Sequence, residues 1–223
     1  MFSLYSWEEN CLMKKKLLGI FLVMAAAVAL TAPSAMANAL GNPGFEDPVV
    51  EGDPPFLGRW QPFAGGGATS VRDTVDPMSG VGHMSLTINN ANNTFAGIFQ
   101  DVAVTAGQMV DFNLYHKTTS LPYNLVTEMR IEWRDATTEV GRTPNLMTPP
   151  TDSYSLLSLS AAAPANATLA RVVYAIQSFT NDNLPDIGTV YLDNGTTTVV
   201  PEPTTLALIG MSVAGLTGLR RRS

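Results

Sequence analysis

The feature that most constrains this chain is an apolar alternation of period two, broken at short intervals by residues that turn the backbone. In "NTFAGIFQDVAVTAGQMVDFNLYHK", Asn93 to Lys117, two apolar runs flank Ala106-Gly107, and in the second Val110, Phe112 and Leu114 alternate with Asp111 and Asn113. Successive side chains of a strand point to opposite faces, so the pattern is that of a half-buried strand. "TEMRIEWRD" repeats it, with Met129, Ile131 and Trp133 on one face and Arg130, Glu132 and Arg134 on the other. That register assigns Trp133 to the core and Glu132 to a solvated face. Further strands are expected at Leu57 to Pro62, Thr69 to Asp73, His83 to Ile88, Ser153 to Leu159, Leu169 to Phe179 and Thr189 to Asp193. Clusters such as "AGGGA", "DPMSG", "NNANN" and "TNDNLPD" mark the turns between them. Eight to ten short strands, with no sustained helical period outside the two ends, predict an all-β antiparallel β-sandwich of the jelly-roll kind.

The ends differ from this middle. From Met13 the chain reads Lys14-Lys15-Lys16, an apolar stretch from Leu17 to Leu30, and "TAPSAMA" ending at Ala37. A basic region, an apolar region and an A-x-A site in that order form a secretory signal peptide, here spanning 13–37. The acidic, aromatic residues 1–12 do not suit the start of such a segment, so translation is expected to begin at Met13. Thr196 to Val200 has the small polar composition of a linker, placing the sandwich at 38–195 and the tail at 201–223. Thr204 to Leu219 is uncharged and mostly apolar, about 24 Å long as a helix against a hydrocarbon core of about 30 Å. With a shortened span and arginines at its end, it is expected to form a C-terminal transmembrane helix whose Arg220, Arg221 and Arg222 stay on the cytoplasmic side.

Composition narrows the chemistry. The sole cysteine, Cys11, precedes the signal peptide, so the exported body holds no disulfide or thiolate site. Of thirteen Lys and Arg, three lie in the signal and three in the tail; of nineteen Asp and Glu, Glu8, Glu9 and Glu202 lie outside the body, leaving seven cations against sixteen carboxylates. A net charge near minus nine opposes phosphate-backbone binding, and nucleic acid is not an expected partner. His83 and His116 are not in a metal-ligand spacing, and no G-x-S-x-G or H-E-x-x-H occurs. Asp101, Asp111, Glu128 and Glu132 could supply a glycosidase pair, but nothing in their spacing singles one out, so no catalytic residue is assigned. A weak glycoside hydrolase or lyase on the same fold is the alternative to a binding module.

In order along the chain, "NPGFEDP", "GRWQPF", "GIFQDVAVTAGQMVDFNLY", "IEWRD", "APANATLARVVYAI" and "VYLDN" resemble the carbohydrate-binding-module type of galactose-binding-like jelly roll. The resemblance spans most of Asn42 to Asn194. It implies two antiparallel sheets packed face to face, and a structural calcium held by Glu46 of the opening motif and Asp193 at the end of the last strand. Calcium takes 6 to 8 oxygen ligands, and two carboxylates balance its charge. The alternative is that both are solvated loop carboxylates. The family also implies sugar contacts through aromatic rings, for which Trp60, Phe63, Tyr115, Tyr123 and Trp133 are candidates. Tyr123, in the loop sequence "SLPYN", and Trp60 are preferred for sugar binding.

The tail "VPEPTTLALIGMSVAGLTGLRRRS" resembles the PEP-CTERM sorting signal in its whole layout: Pro201-Glu202-Pro203, a short apolar span and a terminal arginine cluster. Two prolines make a rigid, extended boundary before a helix. The family implies a Gram-negative bacterial protein exported by the Sec machinery and held transiently in the inner membrane. An exosortase then cuts it near the triplet, leaving the domain at the cell surface or among extracellular polysaccharide. The alternative for these residues is an ordinary C-terminal anchor.

Overall fold

In the computed structural model the described residues are 37–89, 93–118, 125–178 and 187–200. The stretch up to 36 and the tail from 201 lie outside them, and so do the signal and transmembrane helices expected there. Within the described residues the chain forms strands β1 Gln61–Gly65, β2 Thr69–Asp73, β3 His83–Asn89, β4 Thr94–Ala103, β5 Met109–Thr118 and β6 Leu125–Asp135. It continues with β7 Thr138–Arg142, β8 Leu146–Met147, β9 Thr151–Ala162, β10 Leu169–Ser178 and β11 Ile187–Val200. One sheet, A, has the order β1-β4-β10-β6-β7 with β8 also on β6, and the other, B, has the order β2-β3-β11-β5-β9. All these strand pairs are antiparallel, and the two sheets form the expected sandwich.

The alternation read from the sequence decides which faces meet. In β5, Val110, Phe112, Leu114 and His116 are buried while Asp111, Asn113, Tyr115 and Lys117 are not. Facing them from sheet A are Ala96 and Ile98 of β4, Met129, Ile131 and Trp133 of β6, and Val172, Tyr174 and Ile176 of β10, all in one core cluster. Trp133 is therefore a core residue, as its register implied.

Two expectations are corrected. The first strand begins at Gln61 rather than Leu57: Leu57 makes only an isolated bridge to Asp101, and Gly58, at φ 68, breaks the extension before β1. The presumed linker Thr196–Val200 is the second half of β11, paired with β5 as far as Val200↔Met109. Small hydroxyl side chains suggested a linker, but threonine is β-branched and suits a pleated surface. Thr197 is fully buried, its N–H donating to Asn38 Oδ1 (2.8 Å) and its carbonyl accepting from Ala39 N–H (2.7 Å).

Candidate functional site

The sequence singled out two carboxylates, and the fold brings them to one loop. Asp193 sits in β11 just before the irregularity between Asp193 and Thr196, and its side chain is fully buried. Its Oδ2 accepts from Met78 N–H (2.9 Å) and Ser79 N–H (3.1 Å), and its Oδ1 from Asn194 N–H (2.7 Å). Glu46 Oε2 accepts from Val81 N–H at 2.7 Å. The two carboxylates thus clasp opposite ends of the 78–81 turn. A Cβ at Gly80 would lie 1.9 Å from Glu46 Oε1, and Gly80 has φ 66, so both space and backbone call for glycine there. Asn42, Phe45, Asp76 and Asn194 also adopt left-handed φ between 47 and 59°, which folds the surrounding segments tightly onto the clasp. Arg72 ties the first of them down, donating from Nε to Phe45 O (2.6 Å) and from Nη2 to Glu46 O (2.8 Å).

Burial pushes the Asp193 carboxyl above its usual range; hydrogen bonds from Ser79, Asn194 and Met78 oppose this, and the like charge of Glu46 adds to it. A cation bound beside the pair would relieve that repulsion, so the donor set is chemically suited to calcium. Among the described residues no group of three or more His, Cys, Asp or Glu is placed to hold a metal ion, so further ligands would have to be amide, hydroxyl or carbonyl oxygens. Asn194 Oδ1 and Ser79 Oγ, 3.2 Å apart at the same turn, are of that kind.

Trp60 is not an open platform. It is 2% exposed, packs on Phe45 with ring centroids 5.3 Å apart, and donates its indole N–H to Asn42 O at 3.0 Å. It lines a pocket of about 320 Å³ together with Asn42, Asp47, Pro48, Val49 and Arg59. Its ring is nevertheless used by the core, which corrects its assignment as an exposed sugar-stacking residue. Tyr123 lies outside the described residues. Tyr115 is half-buried on the outer face of sheet B, opposite Asp193 and Leu156.

A cluster of phenylalanines lies on the outer face of sheet A. In β4 the residues Phe95, Gly97, Phe99 and Asp101 face outward, because Ala96, Ile98, Gln100 and Val102 face the core. Phe63 of β1 lies opposite Gly97, and its ring covers the space that a Cβ would need there, 2.1 Å from Cζ. Phe63 is 6.1 Å from both Phe95 and Phe99, and Phe56 meets Phe99 edge-on at 5.1 Å. Phe95 remains 42% exposed. The Arg171 guanidinium lies 3.9 Å from the Phe99 centroid and makes a two-pronged pair with Asp101, at 2.7 and 3.0 Å.

Across β10 the same face continues into β6. The register places Ala175 opposite Glu128, Val173 opposite Arg130 and Arg171 opposite Glu132. Glu132 does lie on the polar face, but it is buried and not solvated as the alternation alone suggested: Arg130, Arg134 and Arg142 all reach it. Arg130 also pairs with Glu128, which accepts from Asn145 as well. The sequence held a signal for this surface, since Phe95-x-Gly97-x-Phe99-x-Asp101 is a single strand face. It was hidden because the opposite face of β4 is apolar too.

Residues 199–222 match the PEP-CTERM protein-sorting motif. No curated protein matches the sequence. Among solved structures the fold is similar to the enzymatically active domain of tailspike protein 4 of bacteriophage CBA120, at 15% identity and TM-score 0.55, covering 73% of this chain and 21% of that one. It is similar to a CBM4 module at 13% identity and TM-score 0.51, covering 72% of this chain and 99% of the module. It is also similar to the CBM22-1 xylan-binding domain from Paenibacillus barcinonensis, at 17% identity and TM-score 0.49, covering 77% and 100%. The chain thus spans about a fifth of the tailspike domain and essentially the whole of each binding module. At these identities the likeness is one of fold: a β-sandwich of the kind carbohydrate-binding modules have.

Proposed function

We propose that this chain is an exported, non-catalytic protein of the cell surface or extracellular matrix that holds polysaccharide on the outer face of sheet A. One observation carries the reading: Phe63, Phe95 and Phe99 gather on a strand face turned away from the core, with Phe56 edge-on to Phe99 and with Arg171 and Asp101 beside them. Aromatic rings stack on the apolar faces of pyranoses, and neighbouring donors and acceptors satisfy the hydroxyls. The sorting motif at 199–222 supports export, with the signal segment as the entry to the Sec machinery, the inner membrane as a transient anchor and an exosortase as the processing partner. Calcium at Glu46 and Asp193 has a structural part in this reading, fixing the 78–81 turn against β11.

The glycan-active alternative would draw on Glu128 and Glu132, both buried on the proposed binding face. A hydrolytic pair needs one carboxyl group to donate a proton and one to attack or activate water. Here one guanidinium, that of Arg130, pairs with both side chains, which favours a binding surface. The test is retention of the domain 38–200 on extracellular polysaccharide, together with a glycan array. Phe95→Ala and Phe63→Ala should each weaken retention about tenfold without unfolding, Tyr123→Ala probes the loop aromatic, and Trp60→Ala should destabilise the fold by about 3–5 kcal/mol. Unchanged retention in both phenylalanine variants removes the proposed face. Sugar release abolished by Glu128→Gln or Glu132→Gln would replace the binding reading with the enzymatic one.

A further inference from the structure

The four sheet edges of this sandwich are not alike. At the margins of sheet A, β1 has five residues and contains Pro62, and β7 has five with Glu139 and Arg142 charged. At one margin of sheet B, β2 has five residues with Arg72 and Asp73. Short length, charge and proline are the devices by which edge strands avoid pairing with other chains. The remaining edge, β9, has none of them except Asp152 near its start: it is twelve residues of "TDSYSLLSLSAA". Among the described residues it pairs with β5 alone, and none of the backbone bonds formed outside the strand ladders involves it.

Among its exposed serines it also presents an apolar side chain. Leu156, opposite Tyr115 on the outer face, is 50% exposed. On the inner face Leu157 and Leu159 are only partly buried against the core. We propose that β9 is a self-pairing edge, through which two copies of this chain join their five-stranded sheets into one continuous ten-stranded antiparallel sheet.

A second copy is the occupant that fits. An antiparallel strand pair has a two-fold axis, so one strand can pair with its own copy, and inner and outer faces match when the register keeps outward residues opposite outward ones. In β9 those are Tyr154, Leu156, Ser158 and Ser160, and the middle of the strand then places Leu156 or Leu157 on the axis. No like charges face each other in either register, because Asp152 falls opposite Ser160 or Ala162. Twelve residues at about 3.4 Å each make a strip about 40 Å long. With a width of about 15 Å this is roughly 600 Å² per partner, somewhat under the about 800 Å² of a standard interface, which suits a reversible dimer. The acidic bodies repel at a distance, so salt should strengthen the association.

The test uses the full-length chain in mild detergent. Sedimentation should show a monomer–dimer equilibrium that shifts toward dimer with added salt, and Leu156→Lys should shift it toward monomer by tenfold or more. In a Cys11→Ser background, Leu156→Cys should be linked to its copy by a short thiol cross-linker, whereas Val75→Cys, at a position 71% exposed beyond β2, should not. A wild-type chain that is monomeric at every concentration and salt overturns the proposal. So does a dimer that survives Leu156→Lys, or one linked through Val75→Cys instead; capture of a different protein by a monomeric chain through β9 does the same.

Discussion

Falling pH should destabilise this domain through His116. His116 is 1% exposed on the core face of β5, with Nδ1 3.1 Å from the Tyr174 hydroxyl, which in turn lies 3.0 Å from Thr148 Oγ1. Among the described residues no charged side chain bonds to the ring, and burial lowers its pKa from 6.5 to about 4. The folded chain therefore holds a neutral imidazole where the unfolded chain would bind a proton. Since the folded pKa lies below the unfolded one, the stabilisation is complete above pH 6.5 and is lost as pH falls from 6.5 to about 4. At about 1.4 kcal/mol for each pH unit the loss approaches 3 kcal/mol, a large share of a typical net stability of 5–15 kcal/mol. His83 acts in the same direction through burial, opposed by the nearby Asp73 carboxylate. The assay is urea unfolding of the domain at half-unit steps from pH 7 to pH 4, for wild type and His116→Gln. Glutamine can still bond to the Tyr174 hydroxyl but does not titrate. The difference between the two curves should change by about 3 kcal/mol over that range. Parallel curves would refute the reasoning, because they would mean that His116 takes up its proton equally well folded and unfolded.

Calcium should raise the melting temperature of the domain relative to excess chelator, by about 2.7 kcal/mol in stability at a hundredfold excess over Kd, and Glu46→Gln should remove most of the shift; equal melting in both conditions counts against the site. In chelator, the raised pKa of Asp193 means that its carboxyl destabilises the fold as pH rises through that pKa, and Asp193→Asn should flatten this part of the profile. Processing at the sorting motif should release a species that has lost most of Thr204 to Ser223, as intact mass of the extracellular form would show; recovery of a form still ending in Ser223, from cells with a working exosortase, would refute it.

What was legible in the sequence was whatever depends on periodicity along one strand. Val110-x-Phe112-x-Leu114 and Met129-x-Ile131-x-Trp133 each bury one face, and β2 has the limits that its alternation and flanking turns implied. What depends on the partner strand was not legible. Glu132 was assigned to solvent because its own strand leaves it on the polar face, yet Arg142 arrives from β7 and covers it with Arg130 and Arg134. Trp60 looked like a platform in a short, polar context, but the opening segment, held by Asn42 and Phe45, closes over it. The Thr196–Val200 stretch looked like a linker until the first half of β5 supplied its hydrogen-bonding partner. In each case a neighbour distant in sequence decides between solvent and burial. The same logic separates the two surfaces that matter here: the phenylalanine face arises only when β1 and β4 align Phe63 with Phe95 and Phe99, whereas the open character of β9 can be traced within its own twelve residues, which hold no proline and only one charge, Asp152 near the start.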